Sequence, residues 1–212
     1  MKTDDLIALM AANADPVAPG VARRRLLIGS LVGALGACVL VFTLLPPRGL
    51  AHAAQTGPFW MKLGYCVWLA IGGWLLADRA ARPGAPTRTA TWVLGAGIAA
   101  IASLAVIDLA FTPLSGWHAA WMGSSALFCP FAILITAVPV FVAVAVAIRG
   151  LAPTRLRVAG AAAGLLAGAV GAAVYGLWCR ETAAVFVASW YTLGIAACAG
   201  LGALLGPRAL RW

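Results

Sequence analysis

Cysteine is the residue type in this sequence best suited to chemistry, and its five copies are Cys38, Cys66, Cys129, Cys179 and Cys198. No pair has the C-x-x-C spacing, so the sequence encodes neither a thioredoxin-type motif nor a local zinc ribbon. Arg180 directly follows Cys179, and a neighbouring cation favours the thiolate, which is the reactive form of cysteine. In an oxidising compartment, Cys129 and Cys179 are predicted to oxidise as a pair or to capture a soft metal ion.

The other chemistry-bearing residues give weaker signals. Cys66 is a candidate neighbour of the predicted pair, whereas Cys38 and Cys198 lie deep in apolar runs and are expected to be small buried residues. Asp108 lies near the end of an apolar run, where an acid is a functional-site hypothesis by default. The alternative interpretations are two unrelated interfacial cysteines, and a hydrated carboxylate at the membrane surface.

The composition decides what kind of scaffold holds these residues. Of the 212 residues, 63% are hydrophobic and only 10% are charged, whereas a soluble domain has about 25% charged residues. A soluble enzyme, a disordered chain and a coiled coil are therefore excluded. The 24 glycines favour closely packed helices, and the alternating pattern of a β-barrel is absent. The predicted fold class is an all-α integral membrane protein.

Six apolar runs are long enough to cross a bilayer, which takes about 20 residues each. The segments between them are short, so neighbouring helices are expected to be antiparallel. The prediction is a cytoplasmic N-terminal helix and tether over 1–22, followed by a six-span membrane domain over 23–212. The spans are predicted at about 26–45, 60–77, 92–111, 126–148, 156–178 and 184–206.

Basic residues set the predicted orientation. Twelve of the 15 Lys and Arg residues fall on one side of this topology, and the positive-inside rule places that side, with both termini, in the cytoplasm. The net charge of +9 is therefore interpreted as a topology signal, with no direct contact with nucleic acid. Cys129 and Cys179 then lie at the same depth, on the opposite face, at the ends of consecutive antiparallel helices.

The first 16 residues are predicted to form a short helix that ends at a proline. Asp4 and Asp5 complement the positive end of its dipole. A helix this short is marginal alone in water, and the absence of a Lys/Arg-rich face argues against a lipid-surface helix. Insertion into the groove of a protein partner is the favoured interpretation; the alternative is a helix folded against the bundle or the bilayer. The apolar face at helical spacing includes Leu6, Leu9 and Met10.

Three features together resemble a known family: the opening string Met1-Lys-Thr-Asp-Asp-Leu-Ile-Ala-Leu-Met10, the arginine triplet 23–25 before the first of six spans, and cysteines at the outer ends of spans four and five. They are similar to the NrsF-type membrane anti-sigma factors, or negative regulators of sigma F. That resemblance implies a multi-pass protein of the bacterial inner membrane, encoded with an extracytoplasmic-function sigma factor, and no enzymatic activity or cofactor.

The resemblance also assigns roles to residues. It implies that the N-terminal helix, with Asp4, Asp5, Leu6 and Leu9, sequesters the sigma factor, and Met10 shares its apolar face. It implies that Cys129 and Cys179 sense oxidative or heavy-metal stress. Cys66, Asp108 and Arg180 are candidate neighbours of that pair because of their positions in the sequence, independently of the resemblance. Self-association is left open. Two rival functions are a membrane thiol oxidoreductase and a small multi-pass transporter or metal exporter.

Overall fold

The computed structural model describes residues 3, 5, 20–44, 53–82, 84–151 and 153–211. Within these residues six helices are long and apolar enough to span a membrane, and none of the described residues is in a β-strand. The predicted all-α membrane fold is therefore confirmed. The helices are α1 (Val21–Leu44), α2 (Gly57–Ala80), α3 (Arg88–Phe111), α4 (Phe128–Arg149), α5 (Leu156–Gly176) and α6 (Ala184–Ala209).

The observed helices match the predicted spans to within a few residues, and the differences have simple causes. α1 begins at Val21 rather than 26, because arginine is a good helix former and the hydrogen-bonded helix continues beyond the apolar run. α5 ends at Gly176 rather than 178, which leaves Cys179 in the loop before α6. A hydropathy pattern locates the membrane core, whereas backbone hydrogen bonds decide where a helix ends.

The predicted N-terminal helix falls mostly outside the described residues. Thr3 and Asp5 are helical. The predictions for Asp4, Leu6, Leu9 and Met10 lie outside the part of the chain that the structure describes.

Contacts between helix ends divide the bundle into two faces. One face, called here the arginine end, contains the first residues of α1, α3 and α5 and the last residues of α2, α4 and α6. At this face Arg25 Nη1 donates to the carbonyl oxygen of Gly150 at 3.0 Å. At the other face, called the cysteine end, lie the 112–127 and 177–183 connections, with Cys129 and Cys179. The helices alternate in direction, as their short connections predict.

α5 is the centre of the bundle and packs against α1, α2, α4 and α6. Its apolar window is 72% buried, compared with 17% for α3, which lies at the periphery. The closest packing is between α5 and α6, where glycines let the two backbones touch: Gly160 lies against Gly202, and Gly164 lies against the backbone of Cys198. Small residues at such contacts are how helices associate in lipid, where no hydrophobic effect drives them together.

Candidate functional site

Cys129 is held by the first turn of α4. Its backbone N–H donates to the carbonyl oxygen of Ser125 at 2.9 Å. Pro130 follows without cost, because the first turn of a helix has no intrahelical acceptor for the N–H that proline lacks. The Cys129 side chain is fully buried, so the start of α4 directs the thiol into the bundle.

Cys179 is held by a tight turn at the end of α5. The backbone N–H groups of Trp178 and Cys179 donate to the carbonyl oxygen of Tyr175 at 2.9 Å and 3.1 Å. This turn brings the half-buried Cys179 thiol within hydrogen-bonding reach of the Cys129 thiol. The structure thus brings together the two cysteines that the sequence analysis paired, and all five cysteines carry free thiols.

Lys62 of α2 is the buried cation of this site. Its side chain is 2% exposed, and Nζ donates to the carbonyl oxygens of Cys179 at 2.6 Å and Glu181 at 3.1 Å. The ammonium also lies 5.9 Å from the ring centre of Tyr191. A charge removed from water is tolerated only when dipoles and an opposite charge compensate it. Lys62 therefore fastens α2 to the loop that carries Cys179.

The surroundings of Cys179 favour its thiolate. The hydrogen bond from the Cys129 thiol, together with the positive charge of Lys62 and the backbone N–H of Glu181, lowers the pKa of Cys179 to about 5, although burial opposes this shift. These contacts favour the thiolate of Cys179 beside the thiol of Cys129. This is the arrangement in which a cysteine pair reacts readily with oxidants and soft metal ions.

Two tyrosines close the inner side of the cysteine pair. The rings of Tyr175 and Tyr191 lie 6.3 Å apart, and Tyr191 belongs to a π-helical segment, Val187–Tyr191, inside α6. Such segments occur frequently at functional sites. The Tyr191 hydroxyl is buried beside Cys179 and is directed at its sulfur, where it also favours the thiolate.

Glu181 fastens the connection before α4 to the loop after α5. Its Oε1 accepts hydrogen bonds from the backbone N–H and the hydroxyl of Ser124, at 2.8 Å and 2.6 Å, and from the hydroxyl of Ser125 at 3.3 Å. Gly123 makes this approach feasible, because it has a φ of +51° and a Cβ there would collide with the Glu181 carboxylate. The clamp holds Cys129 and Cys179 in register.

The predicted neighbours occupy different positions around the pair. Cys66 follows Lys62 by one helical turn and is fully buried, deeper in the bundle. Asp108 Oδ2 accepts the backbone N–H of Ala184 at 3.0 Å, so it satisfies and stabilises the start of α6. Arg180 is exposed. The sequence analysis expected Arg180 to be the cation beside Cys179. In the structure that cation is the buried Lys62, which the sequence analysis did not single out.

Lys62 carried a sequence signal, although a faint one. It precedes Cys66 by four residues, which puts both on one face of a helix. It is also an ionisable residue at the edge of an apolar run, a position that marks functional sites. Glu181 and Tyr191 gave no comparable signal, because their contacts depend on a turn and on a π-helical segment. In the described part of the chain, no group of three or more His, Cys, Asp and Glu side chains is arranged to hold a metal ion.

Comparison with known proteins gives a consistent result. The model of a family described as negative regulator of sigma F matches residues 10–212. The chain is 40% identical to a probable anti-sigma-F factor of Azospira oryzae and 37% identical to an anti-sigma-F factor of Caulobacter vibrioides, and each comparison covers the whole of both chains. No solved structure matches.

Proposed function

The chain belongs to the family of negative regulators of sigma F, and from this premise we propose that it binds an extracytoplasmic-function sigma factor and that Cys129 and Cys179 control its release. The resemblance found in the sequence is confirmed by that family membership, and so is an anti-sigma role. The descriptions of the family and its relatives are those of a regulator, which confirms the prediction that the protein is not an enzyme.

The proposed orientation puts the arginine end in the cytoplasm. Twelve of the 15 Lys and Arg residues belong to that side of the chain, as the positive-inside rule requires. In the inner membrane of a bacterium, the cysteine end then faces the periplasm, where thiols are exposed to oxidants. Residues 1–22 enter the cytoplasm directly from α1 and carry the proposed sigma-binding helix, with Asp4, Asp5, Leu6, Leu9 and Met10.

The observation that supports the sensing role is the pair of neighbouring thiols, Cys129 and Cys179, beside the buried Lys62, whose Nζ donates to the carbonyl oxygen of Cys179 at 2.6 Å and whose charge favours the Cys179 thiolate. With a peroxide as oxidant, the thiolate attacks one oxygen, the O–O bond breaks, hydroxide leaves, and Cys179 becomes a sulfenic acid. The Cys129 sulfur then attacks Cys179, its proton leaves with the departing oxygen as water, and the disulfide forms. The two sulfurs lose two electrons, and the peroxide gains them.

The same two sulfurs provide a second route, capture of a soft metal ion. Thiolates are preferred ligands of such ions, and a bound cation drives the Cys129 thiol to lose its proton. In the described residues a third ligand is not arranged beside the pair, so this route suits an ion that accepts two sulfur ligands. Either route draws the start of α4 and the end of α5 together and removes the free thiolate.

Release of the sigma factor follows if the reduced and reacted states differ in sigma affinity. Moving an equilibrium from 1:99 to 99:1 takes about 5.5 kcal/mol, and a disulfide supplies about 2–4 kcal/mol. One disulfide therefore provides only part of the free energy of a complete switch. Release by this mechanism is expected to be graded with the degree of oxidation.

The sensing role is tested by Cys129→Ser combined with Cys179→Ser in cells that carry a sigma-dependent reporter. The variant should repress normally and stay repressing after peroxide or cadmium, because neither a disulfide nor a dithiolate site can form. The matched control is Cys38→Ser combined with Cys198→Ser, which changes two cysteines outside the site and should respond like the unmodified protein. Normal induction in the Cys129/Cys179 variant would eliminate the sensing role.

The docking role of the N-terminal helix is tested by Leu6→Asp combined with Leu9→Asp. Two charges on the apolar face should abolish sigma binding and leave the reporter constitutively on. The control, Ala8→Asp combined with Ala11→Asp, adds the same charges on the opposite face by helical spacing and should leave repression intact. Intact repression in the Leu6/Leu9 variant would show that the sigma factor docks elsewhere.

A further inference from the structure

We propose that α2 carries the signal across the membrane, because it holds Lys62 against the cysteine loop at one end and Asp78 against Arg23, at the root of the N-terminal segment, at the other. This inference rests on the proposed function and supplies its missing step, the path between the two faces of the bundle. It requires a link at each end of α2 and a connection between them.

The link at the cysteine end is the pair of hydrogen bonds from Lys62 Nζ to the carbonyl oxygens of Cys179 and Glu181. These bonds join α2 to the 177–183 loop, which belongs to a different part of the chain. Since Lys62 is 2% exposed, water cannot replace a partner that it loses. A change at Cys179 is therefore felt directly by α2.

The link at the arginine end is a buried carboxylate. The Asp78 side chain is 2% exposed; Oδ1 accepts a hydrogen bond from Arg82 Nη2 at 2.9 Å, and Oδ2 lies 3.6 Å from Nε of Arg23. Arg82 follows Asp78 along the same segment, so among the described residues it is Arg23 that connects the carboxylate to another helix. Arg23 lies in the first turn of α1, three residues after Gly20, where the described chain enters the bundle.

The connection between the two links is one uninterrupted helix. Lys62 and Asp78 are 16 positions apart on α2, which corresponds to about 24 Å at 1.5 Å per residue, most of the thickness of the hydrocarbon core. No proline lies between them, and α2 is regular helix over this length. A movement at Lys62 therefore reaches Asp78 through backbone hydrogen bonds.

Charge supplies the driving force. Before oxidation, the Lys62 ammonium faces the Cys179 thiolate. Disulfide formation converts that anion into a neutral sulfur, and a buried ammonium without its counter-charge is unfavourable. The ammonium is then displaced away from the neutral sulfur, α2 shifts with it, and the ion pair between Arg23 and Asp78 is displaced or broken. Metal capture gives the same result, because the thiolate charge is committed to the metal.

The test is Arg23→Gln in the full-length protein in cells, read by the sigma-dependent reporter before and after hydrogen peroxide. Cysteine oxidation is followed in the same cells by the mass shift of a maleimide polymer. We expect oxidation at the normal rate but a ratio of induced to uninduced reporter that falls about fivefold or more, the lower bound of a typical coupling between two sites. Asp78→Asn should act in the same direction.

The matched control is Arg24→Gln, which removes an exposed arginine from the next position of α1 and should preserve the induction ratio. A normal ratio in Arg23→Gln would overturn the α2 route, whatever Asp78→Asn does. This failure is distinguishable from failure of the sensing role. If the Cys129/Cys179 serine variant is uninducible while Arg23→Gln is induced normally, only the α2 route is wrong.

Discussion

The two ends of the bundle each bury one charged side chain of α2, but they compensate it with different chemistry. At the cysteine end the buried group is the Lys62 ammonium, which faces two carbonyl oxygens and the thiol pair. At the arginine end it is the Asp78 carboxylate, which faces Arg23 and Arg82. The arginines are largely exposed, with side chains 59% and 45% accessible, whereas Cys179 and Glu181, which accept from Lys62, are half-buried.

This difference separates a contact whose charge can be removed by chemistry from a contact whose charges are fixed. A thiolate can be oxidised or bound by a metal, and its charge then disappears. A guanidinium is charged at every pH that a protein survives, so the partners of Asp78 keep their charge. The cysteine end therefore has the properties of an input, whereas the ion pair at the arginine end changes only when α2 moves.

Removing the hydrogen bond from Cys129 should have the largest effect on the pKa and reactivity of Cys179, and so on the difference between the two ends. In the unmodified protein, alkylation of Cys179 should be half-maximal near pH 5, the pKa of its thiol, and level from pH 6 to 8. In Cys129→Ala the pKa should return towards about 8.5, so that about 3% of Cys179 is thiolate at pH 7 and alkylation is about 30-fold slower.

The measurement is the rate of iodoacetamide labelling of Cys179 in nanodiscs across pH, followed by peptide mass spectrometry. Cys198→Ala serves as the control, since that residue lies at the α5–α6 contact outside the pair. An unshifted midpoint in Cys129→Ala would show that Cys129 does not stabilise the thiolate.

Lys62→Met should have the next largest effect. It removes the second contribution to the low pKa of Cys179 and leaves the hydrogen bond from Cys129, so the midpoint should rise by about one pH unit, the range of a nearby charge. The same labelling experiment measures it, with Lys62→Arg as the charge-conserving control. A midpoint that stays near 5 in Lys62→Met would mean that the lysine is only structural.

The packing of the two ends can be compared by substituting two glycines with positive φ, one at each end. Replacing either Gly123 (φ +51°) or Gly84 (φ +73°) by alanine introduces backbone strain. Only at Gly123 does the added Cβ meet another group, the Glu181 carboxylate, whereas at Gly84 it meets open space. Gly123→Ala should therefore be more destabilising than Gly84→Ala by about 1 kcal/mol, a typical cost of overpacking.

Thermal denaturation of both variants in the same detergent measures this difference. Equal losses of stability would indicate that the 123–125 turn can move away from Glu181, and the clamp that aligns the two cysteines would then be loose.

Arg180→Gln should have the smallest effect. Arg180 is next to Cys179 in sequence but its side chain is exposed, where the charge is screened by water and salt. The labelling rate of Cys179 at pH 7 should change by less than about twofold. A larger fall would show that Arg180, as its adjacency in sequence suggests, stabilises the Cys179 thiolate. Lys62 would then not be the main positive charge beside that thiolate.

The sequence predicted the scaffold well because the bilayer imposes a length and a hydropathy on each helix. It also placed Cys129 and Cys179 at one depth, since consecutive antiparallel spans return to the same face. It did not predict that Lys62, 117 residues from Cys179, would supply the charge beside the thiol. That contact depends on how α2 is rotated against α5, which short-range spacing does not specify.

The same limit applies at the arginine end and in α6. Asp78 was not predicted as a contact of Arg23, because the pairing joins two helices whose relative rotation is set by packing. The π-helical segment that carries Tyr191 has no simple sequence signature. The sequence also drew attention to Asp108 as an acid near the end of an apolar run, and the structure gives it a specific partner, the N–H of Ala184.

The glycine contact between α5 and α6 has a consequence for any movement within the bundle. Gly160 and Gly202 bring the two backbones so close that neither helix can slide or rotate without collision. Helices α5 and α6 therefore form a fixed unit relative to which the remaining helices can be displaced. Helix movements in response to a stimulus are therefore expected in α1 to α4. Bulky residues at 160 or 202 should inactivate the protein by disrupting the α5–α6 packing, and not by preventing the cysteines from reacting.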